Sequence, residues 1–459
     1  MRRFDAIIVG AGQAGPPLAG RLTATGMTVA LIERKLVGGT CVNTGCMPTK
    51  TLIASAYAAH LTRRAAEFGI RTGDVEVDMP AVAARARTVV TDARGRNEAW
   101  LEGLAGLTLL RGHARFTGPS TIAVDGEELT APRIFLNVGG RAQVPDMPGV
   151  GDVPHLDNTD MVALEQVPEH LVVVGGSYIG LEFAQMYRRF GAAVTVVERS
   201  ERLIAHEDAD ISDAVRAILE DEGIAVRTGA ECIAFARHPD GVAVSVDCRA
   251  GDPEVIGSHV LLAVGRRPNT DDLGLALAGI ATDANGYVIV DDLLQTNVPG
   301  IWALGDCNGR GAFTHTAYND FEIVAANLLD GEERTLSQRL VGYALYIDPP
   351  LGRVGMTQAQ AEATERPLLV SKRPMTRVGR AVEKGETKGF MKIVADAETQ
   401  RILGAAILGT GGDEAIHGIL DMMNADQPVS ALRWAVPIHP TVSELIPTLL
   451  LGLEPVART

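Results

Sequence analysis

Short apolar runs that end in glycine-rich turns are the first pattern along the chain. Residues 5 to 9, DAIIV, form such a run, and Gly10, Gly12 and Gly15 follow it as GxGxxG. A helical stretch and a second apolar run, TVALIE, come next, and this run ends at Glu33. The order of strand, tight turn, helix, strand and acid predicts a dinucleotide-binding unit. In such a unit the glycines let the backbone approach a pyrophosphate, and the acid binds a ribose.

The same unit occurs again further along the chain. LVVV at 171 to 174 precedes GGSYIG, which a helical stretch and VTVVE follow. An offset of 165 residues relates three matched pairs: Gly10 and Gly175, Gly15 and Gly180, and Glu33 and Glu198. Ser177 replaces the second glycine, so we expect binding to be kept with slightly altered geometry. Two units imply two dinucleotides, and we expect FAD in the first and NADH or NADPH in the second.

A pair of cysteines lies shortly after the first unit, in the segment GGTCVNTGCMPTK. Cys41 and Cys46 are five residues apart, which in a regular helix places them about 7.5 Å apart along the axis and on different faces. A disulfide does not close at that spacing without distortion, so we expect an irregular first turn, for which Gly45 supplies backbone freedom. The adjacent helix N-terminus favours a thiolate. The pattern predicts a redox-active pair.

Composition and charge limit the other functions. The chain has 459 residues, 46% hydrophobic and 22% charged, which predicts two or three domains. Its net charge of -15 argues against a nucleic-acid partner. The sequence shows neither an apolar stretch of membrane-spanning length nor a signal-peptide pattern, so we expect no membrane partner and a cytoplasmic protein. Five cysteines are too few for a disulfide framework, and we assign no role to Cys232, Cys248 or Cys307 and no bound metal.

The cysteine segment resembles the active-site segment of the class I pyridine nucleotide-disulfide oxidoreductases, which include dihydrolipoamide dehydrogenase, glutathione reductase and mercuric reductase. Further matches follow in order along nearly the whole chain: GRRPN at 265 to 269, TNVPGIWALGD at 296 to 306, PPLGRVGMT at 349 to 357 and HPTVSE at 439 to 444. The resemblance implies an α/β fold with two Rossmann-like dinucleotide-binding domains and a C-terminal α+β dimerisation domain. The implied domains are an FAD-binding domain in two parts, an NAD(P)H-binding domain and an interface domain: 1–147 with 267–335, 148–266, and 336–459.

The resemblance also implies roles for residues around the cysteine pair. Cys46 would be the sulfur next to the flavin that forms the charge-transfer thiolate, and Cys41 the interchange thiol exposed to substrate. Lys50 and Glu182 would form an ion pair near flavin N5, where a cation stabilises negative charge on the reduced flavin. Tyr178 resembles the aromatic gate that covers the nicotinamide pocket, although a core tyrosine is a serious alternative reading.

Two further segments complete the implied site. Gly305 and Asp306 form the dipeptide that binds the ribityl chain of FAD and approaches its pyrophosphate. His439 would reach across a two-fold homodimer to serve the disulfide of the other subunit, with Glu444 orienting its ring as a proton acceptor and donor. The remaining candidates for cofactor binding are Gly39, Thr40, Gly139 and Gly265.

The electron acceptor stays open between several members of the family. The cysteine segment and AVEKGETKGFMKIV look most like mercuric reductase and its copper-reducing relatives, so a metal ion comes first. Yet the sequence ends in LEPVART without a cysteine pair, has no metal-capture segment before the first strand, and keeps His439, which mercuric reductases lack. Dihydrolipoamide dehydrogenase comes second, because HPTVSE suits its acid and base pair but Pro437 replaces its usual second histidine. Glutathione reductase ranks lower.

The nucleotide and the reaction class have alternatives too. Glu198 favours NADH, because a carboxylate hydrogen-bonds a ribose diol and repels a 2'-phosphate, whereas Arg199 and Arg202 could accommodate that phosphate. An NADH oxidase or quinone reductase would reduce its acceptor at the flavin, with the cysteines as spectators. A flavin-bearing redox sensor is the remaining alternative. Replacement of Cys41 by serine separates these readings, because quinone reduction should survive it.

Overall fold

The computed structural model describes residues 1–231, 233–246 and 252–456 of the chain. Its first layer is a five-stranded sheet whose strands are all parallel. The strands, in spatial order, are Ile301–Ala303, Ile134–Leu136, Ala6–Val9, Val29–Glu33 and Leu107–Arg111. The helix Gly15–Ala24 joins the two strands that the sequence predicts, and the side chains of both strands are buried. Burial on both faces explains why these strands read as continuous apolar runs.

The second nucleotide unit forms a separate parallel sheet of four strands. Its strands, in spatial order, are Ala225–Arg227, Ala193–Val197, His170–Val174 and His259–Leu262. The helices Tyr178–Phe190 and Ala209–Asp221 belong to this unit. Glu198 lies one residue beyond its strand, so the prediction that the strand ends at this acid is off by one. The predicted repeat of strand, glycine loop, helix and strand is present.

Smaller antiparallel layers accompany the two parallel sheets. One contains Ala114–Gly118, Thr121–Val124 and Glu127–Thr130, with Arg2–Arg3 added in parallel at its edge. A second contains Ala234–His238, Gly241–Ser245 and Glu254–Gly257. A two-stranded ladder pairs Gly140–Ala142 with Arg266–Pro268. This ladder lies where the chain leaves the first nucleotide unit and where it returns.

The cysteine segment begins a helix that lies between the two nucleotide units. The chain forms a short helix, Gly39–Asn43, breaks at Thr44 and Gly45, and continues as Cys46–Arg63, which we call the redox helix. The redox helix packs against Met79–Glu102 and against Tyr178–Phe190 of the second unit. The expected irregular first turn is therefore a break between two helices. Cys232 and Cys248 lie outside the described residues.

The remainder of the chain is built around a six-stranded sheet. Its strands, in spatial order and all antiparallel, are Gly342–Leu345, Leu351–Gly355, Ile402–Leu408, Phe390–Asp396, Leu368–Pro374 and Glu454–Pro455. The other α-helices in the described part of the chain are Asn158–Met161, Thr314–Ala325, Gln358–Glu362, Gly379–Glu383, Gly412–Ala415, His417–Asn424, Val429–Arg433 and Ile446–Leu451. The architecture is thus mixed α/β. In the described part of the chain, none of the helices has both the length and the apolar character needed to cross a bilayer.

Buried ion pairs fasten this C-terminal sheet to the second nucleotide unit. Arg353 pairs with Glu207, and the side chains of the two residues are 1% and 0% exposed. Lys392, which is also buried, lies 3.1 Å from Asp208. Removing one partner of such a pair leaves an uncompensated buried charge, so these contacts hold the two bodies in a defined orientation.

Candidate active site

The first glycine loop has the backbone conformation that its sequence predicts. Gly10 has a φ of +107°, and a Cβ atom there would lie 2.2 Å from the carbonyl oxygen of Asn137. A Cβ atom at Gly15 would lie 2.2 Å from the carbonyl oxygen of Gly10, and one at Gly12 would lie 3.2 Å from the Asn137 amide nitrogen. Any side chain at Gly10 or Gly15 would clash with backbone. The loop therefore keeps the close backbone surface that a pyrophosphate needs.

The second loop repeats this geometry with one substitution. Gly175 has a φ of +114°, and a Cβ atom there would lie 2.4 Å from the carbonyl oxygen of Ala263. A Cβ atom at Gly180 would lie 2.1 Å from the carbonyl oxygen of Gly175. Ser177 is the N-cap residue of the helix Tyr178–Phe190 and has an extended backbone, which a serine adopts without strain.

The two acids occupy equivalent positions at the edges of their loops. Glu33 accepts hydrogen bonds from the backbone N–H of Ala11, at 2.9 Å, and from the N–H two residues after itself, at 2.7 Å. Glu198 does the same with Gly176 and with the residue two places on, at 2.6 Å each. Each carboxylate is held by its own loop and retains lone pairs for further donors, such as a ribose diol.

The break in the cysteine segment brings the two sulfur atoms together. Cys41 lies in the short helix and Cys46 is the first residue of the redox helix. Gly45 lies between them with a negative φ, and a Cβ atom there would lie 2.9 Å from the carbonyl oxygen of Thr40. The glycine is therefore needed for space, rather than only for the backbone freedom expected from the sequence. Gly39 has a φ of +60°, and a Cβ atom there would lie 2.9 Å from the Cα atom of Gly12 in the first glycine loop.

The pKa values of the two cysteine side chains are shifted in opposite directions. They are not joined as a disulfide, and the Cys41 thiol donates a hydrogen bond to the Cys46 sulfur. This hydrogen bond is the largest influence that lowers the pKa of Cys46 to about 6, and the Thr314 hydroxyl and the Lys50 ammonium act in the same direction. The same contact and then burial raise the pKa of Cys41. At neutral pH the pair therefore contains one thiolate and one thiol.

Thr314 is a member of the site that the sequence analysis did not identify. Its hydroxyl oxygen lies 3.2 Å from the Cys46 sulfur. It is the first residue of the helix Thr314–Ala325, which is far from the cysteines in sequence. A single threonine in the stretch THTAYND carries no recognisable motif, so only the fold brings it to the sulfur.

Lys50 and Glu182 form the ion pair expected from the sequence. The Lys50 ammonium lies 2.6 Å from a carboxylate oxygen of Glu182, and the Glu182 side chain is only 7% exposed. The second carboxylate oxygen accepts the backbone N–H of Tyr346 at 3.0 Å. The lysine ammonium also lies 4.5 Å from the centre of the Tyr346 ring, a cation–π distance. Tyr346 was not among the sequence candidates, yet it holds both members of the pair.

The Gly305 and Asp306 turn is held by two charged residues that the sequence analysis also missed. Gly305 has a φ of +71°, and its N–H donates to the carboxylate of Asp320 at 2.7 Å. Asp320 is buried and also pairs with Arg339. Asp306 lies 3.3 Å from the guanidinium of Arg266; burial raises the pKa of Asp306, and this guanidinium opposes the rise. A buried aspartate on an otherwise apolar helix face is the signal that could have revealed Asp320.

Gly139 and Gly265 lie at the ladder that links the nucleotide units. Gly139 has a φ of +63° and its carbonyl oxygen accepts the N–H of Asn269. Gly265 has a φ of +128° and its carbonyl oxygen accepts the N–H of Gln143. Both are backbone turn positions.

Tyr178 follows the second glycine loop and is half-buried. Its ring lies edge-on to Tyr343, with centroids 5.3 Å apart, and to Phe313, with centroids 6.2 Å apart. Burial raises the pKa of Tyr178 to about 12, so its hydroxyl is neutral at physiological pH. Tyr343 and Phe313 are further neighbours that sequence reasoning did not identify.

His439 and Glu444 meet each other but not the cysteines of their own chain. The histidine Nδ1 lies 2.9 Å from a carboxylate oxygen of Glu444. The His439 side chain is 81% exposed and that of Glu444 only 13%. Within the described residues, His439 makes no hydrogen bond or ion pair with Cys41 or Cys46. The pair therefore presents a carboxylate-oriented imidazole to the outside of the chain.

Comparisons with known proteins agree with this geometry. Residues 4–320 match the model of the pyridine nucleotide-disulphide oxidoreductase family, and residues 341–450 match the dimerisation domain of that family. The chain is 34% identical over 452 residues to RclA, a probable pyridine nucleotide-disulfide oxidoreductase from Escherichia coli. This match covers 97% of this chain and 98% of the relative. A solved structure of this HOCl-induced flavoprotein disulfide reductase in its Cu(II) complex has a TM-score of 0.89 at 33% identity, covering 98% of this chain and 99% of that chain.

Two other relatives differ from RclA in the reaction that their names describe. A mercuric reductase from Streptomyces lividans is 35% identical over 437 residues, which are 94% of this chain and 92% of the relative. A dihydrolipoyl dehydrogenase from Thermus scotoductus is 33% identical over 448 residues, or 97% and 96% of the two chains. The matches span both nucleotide units, the cysteine segment and the C-terminal sheet. This chain belongs to the pyridine nucleotide-disulphide oxidoreductase family and is a flavoprotein disulfide reductase of the same family as RclA and the mercuric reductases.

Proposed function

We propose that the protein takes reducing equivalents from NADH, stores them in the Cys41 and Cys46 dithiol, and passes them to a metal ion such as Cu(II) or Hg(II). The observation that carries this proposal is the pair of free cysteines at the break before the redox helix, one helical turn from Lys50, which Glu182 holds at 2.6 Å. The contacts that lower the pKa of Cys46 to about 6 favour its thiolate. A thiolate is the reactive form of cysteine both as a nucleophile and as a ligand for soft metals.

The residues of both loops suit the two dinucleotides. Gly10 and Gly15 would hold the pyrophosphate of FAD, Glu33 its ribose, and Asp306 its ribityl chain. Bound FAD would supply two-electron transfer between a nicotinamide and a disulfide. Lys50, held by Glu182, would place a positive charge beside the reduced ring system. The geometry of these residues and the family to which the chain belongs support these roles.

NADH is the nucleotide that the second loop favours. Both carboxylate oxygens of Glu198 accept backbone N–H groups, so the carboxylate is held in place where a ribose would bind. A 2'-phosphate at that position would meet a negative charge in a part-buried setting. A ribose diol would instead donate to the remaining lone pairs.

The metal acceptor rests on the chemistry of the sulfur pair and on the relatives. Two Cu(II) ions can each accept one electron while the Cys46 thiolate and the Cys41 thiol close to the disulfide and release one proton. A single Hg(II) ion would accept both electrons and become elemental mercury. The relatives include mercuric reductases and a flavoprotein solved in a Cu(II) complex. The acceptor would bind at the sulfurs themselves, because no cluster of three or more metal-ligating side chains occurs among the described residues.

Dihydrolipoamide dehydrogenase is the second candidate, and His439 is the observation that favours it. A disulfide substrate needs a proton donor for the departing thiolate, and the His439 and Glu444 pair has the form of such an acid and base. His439 is exposed, and the segment before it also exposes Trp434, Val436 and Ile438, whose side chains are 79%, 95% and 79% exposed. An apolar surface of this kind suits burial against the dimerisation domain of a second copy, which would bring the histidine to the sulfurs of its partner.

Anaerobic stopped-flow kinetics tests the proposal. The holoenzyme would be reduced with NADH and mixed in turn with Cu(II), Hg(II), lipoamide and glutathione disulfide. We expect rapid reoxidation by the metal ions and loss of that reaction in Cys41→Ser, with little change in the control Cys307→Ala. Cys307 is a suitable control because its thiol is buried and contacts the carbonyl oxygens of Leu136 and Leu304 rather than the sulfur pair. Faster reoxidation by lipoamide than by either metal ion would select the dehydrogenase instead. Quinone reduction that is unaffected by Cys41→Ser, with no reaction of any other acceptor, would contradict both.

A further inference from the structure

Four rings from separate parts of the chain form one aromatic cluster around Tyr178. His315, Phe313 and Tyr343 stack face to face, with centroid separations of 5.4 and 5.6 Å and interplanar angles of 12° and 11°. Tyr178 meets this stack edge-on, at 73° to Tyr343 and 76° to Phe313. Edge-on contacts of this kind are favourable, so the stack fixes two sides of the Tyr178 ring.

The hydroxyl group of Tyr343 has a rigid anchor. It donates a hydrogen bond to a carboxylate oxygen of Glu207 at 2.5 Å, and Glu207 is paired with Arg353 in the buried ion pair described above. Because its hydroxyl is held by Glu207, the Tyr343 ring that meets Tyr178 edge-on is fixed in place. The Tyr178 ring thus packs against a ring that is anchored to a buried ion pair.

The anchor joins parts of the chain that carry different functions. Glu207 belongs to the loop that follows Glu198 in the second nucleotide unit, and Tyr343 lies in the first strand of the C-terminal sheet. Phe313 immediately precedes Thr314, whose hydroxyl contacts the Cys46 sulfur. The cluster therefore lies between the nucleotide loop and the sulfur pair, at the position where a nicotinamide gate would move.

We propose that Tyr343, anchored by Glu207, is a positioning residue that holds the Tyr178 ring in a single orientation for the reduction of the enzyme by nicotinamide. The inference rests on the proposed function, because that function supplies the role of Tyr178. Tyr343→Phe is the informative variant, since it keeps the ring and the stack and removes only the hydroxyl. Neither Tyr343 nor Glu207 needs to touch substrate for this role.

Fluorine NMR tests the positioning directly and does not depend on turnover. The holoenzyme contains seven tyrosines and would be labelled with 3-fluorotyrosine. The Tyr178 resonance would be assigned by its loss in Tyr178→Phe. We expect Tyr343→Phe to shift and broaden that resonance, because the ring that packs against Tyr178 loses its anchor to Glu207. Tyr318→Phe is the matched control, since Tyr318 is 47% exposed and packs on Phe321 outside the cluster.

Stopped-flow kinetics then asks whether this positioning serves the reaction. We expect Tyr343→Phe to slow flavin reduction by NADH about three- to tenfold, the range expected for one lost hydrogen bond. Reoxidation of the prereduced enzyme by Cu(II) should remain unchanged. In a Tyr178→Ala background the further change Tyr343→Phe should have no effect on the reduction rate, because the two residues act as one unit.

The outcomes separate the inference from the proposed function. An unmoved Tyr178 resonance in Tyr343→Phe would overturn the inference, as would equal slowing of both half-reactions or independent effects in the double variant. If the resonance moves but the wild-type enzyme is reduced by neither NADH nor NADPH, Tyr343 does position the Tyr178 ring and the proposed function is wrong. A moved resonance with selective slowing of reduction supports both.

Discussion

The hydrogen bond between Thr314 and Cys46 gives a quantitative prediction for the variant Thr314→Val. The change removes the hydroxyl 3.2 Å from the sulfur and keeps the shape of the side chain. A hydrogen bond to a charged group contributes about 1.5–3 kcal/mol. Cys46 is exposed, so water would replace part of the lost bond, and we discount this contribution by about half. Since one pKa unit corresponds to about 1.36 kcal/mol, the pKa of Cys46 should rise by roughly 0.5 to 1 unit.

The direction of the pH dependence follows from the thiolate. With the pKa of Cys46 near 6, the reduced wild-type enzyme holds the thiolate above about pH 6 and loses it as the pH falls through that value. The assay is the pH titration of the long-wavelength thiolate-to-flavin absorbance in the two-electron-reduced holoenzyme. Thr314→Val should move the midpoint upward, whereas Thr314→Ser should stay near the wild-type value. The reasoning is refuted if the valine variant titrates like wild type, or if serine shifts the midpoint as far as valine.

Three other predictions concern Glu182, Glu198 and His439. Glu182→Gln should slow flavin reduction by NADH about tenfold, because it leaves the Lys50 ammonium without its counter-charge. Stopped-flow absorbance measures this rate. An unchanged rate would show that the ion pair has no part in the mechanism. Glu198→Ala should lower the ratio of kcat/KM for NADH to that for NADPH about tenfold, and steady-state assays with both nucleotides check this ratio. His439→Gln should reduce any lipoamide activity at least a hundredfold and Cu(II) reduction by less than tenfold, because only the disulfide substrate needs a proton for its leaving thiolate. Equal losses with both acceptors would contradict that last distinction.

Features that depend on neighbouring residues could be predicted from the sequence. The 165-residue offset that relates Gly10 to Gly175 also relates the backbone donors bound by Glu33 and Glu198, because each unit is a continuous segment that folds locally. The break near Gly45 was likewise expected, since the spacing of the cysteines is incompatible with a regular helix. In both cases the physical constraint lies within about thirty residues of chain.

Contacts that depend on the tertiary fold were missed. Thr314 is 268 residues from Cys46, and Tyr346 is 164 residues from the carboxylate of Glu182 that it holds. Neither residue has a motif of its own, and a lone threonine or tyrosine is chemically unremarkable in a sequence. Asp320 is different, because a buried carboxylate on an apolar helix face must have a partner, and Gly305 provides it.

The electron acceptor is the least predictable feature, and the geometry of the sulfur pair explains why. Cys41 and Cys46 form a reduced pair whose pKa values depend on each other, on Thr314 and on Lys50. None of these contacts depends on which electron acceptor reaches the sulfurs. A metal ion that binds at the sulfurs would need no further ligands from the chain, whereas a disulfide needs a proton donor. Selection between acceptors is therefore expected to depend on His439, which lies on the exposed surface of its own chain and would act on a partner. In the proposed function, the storage of electrons would depend on one subunit, whereas their destination would depend on both subunits of a homodimer.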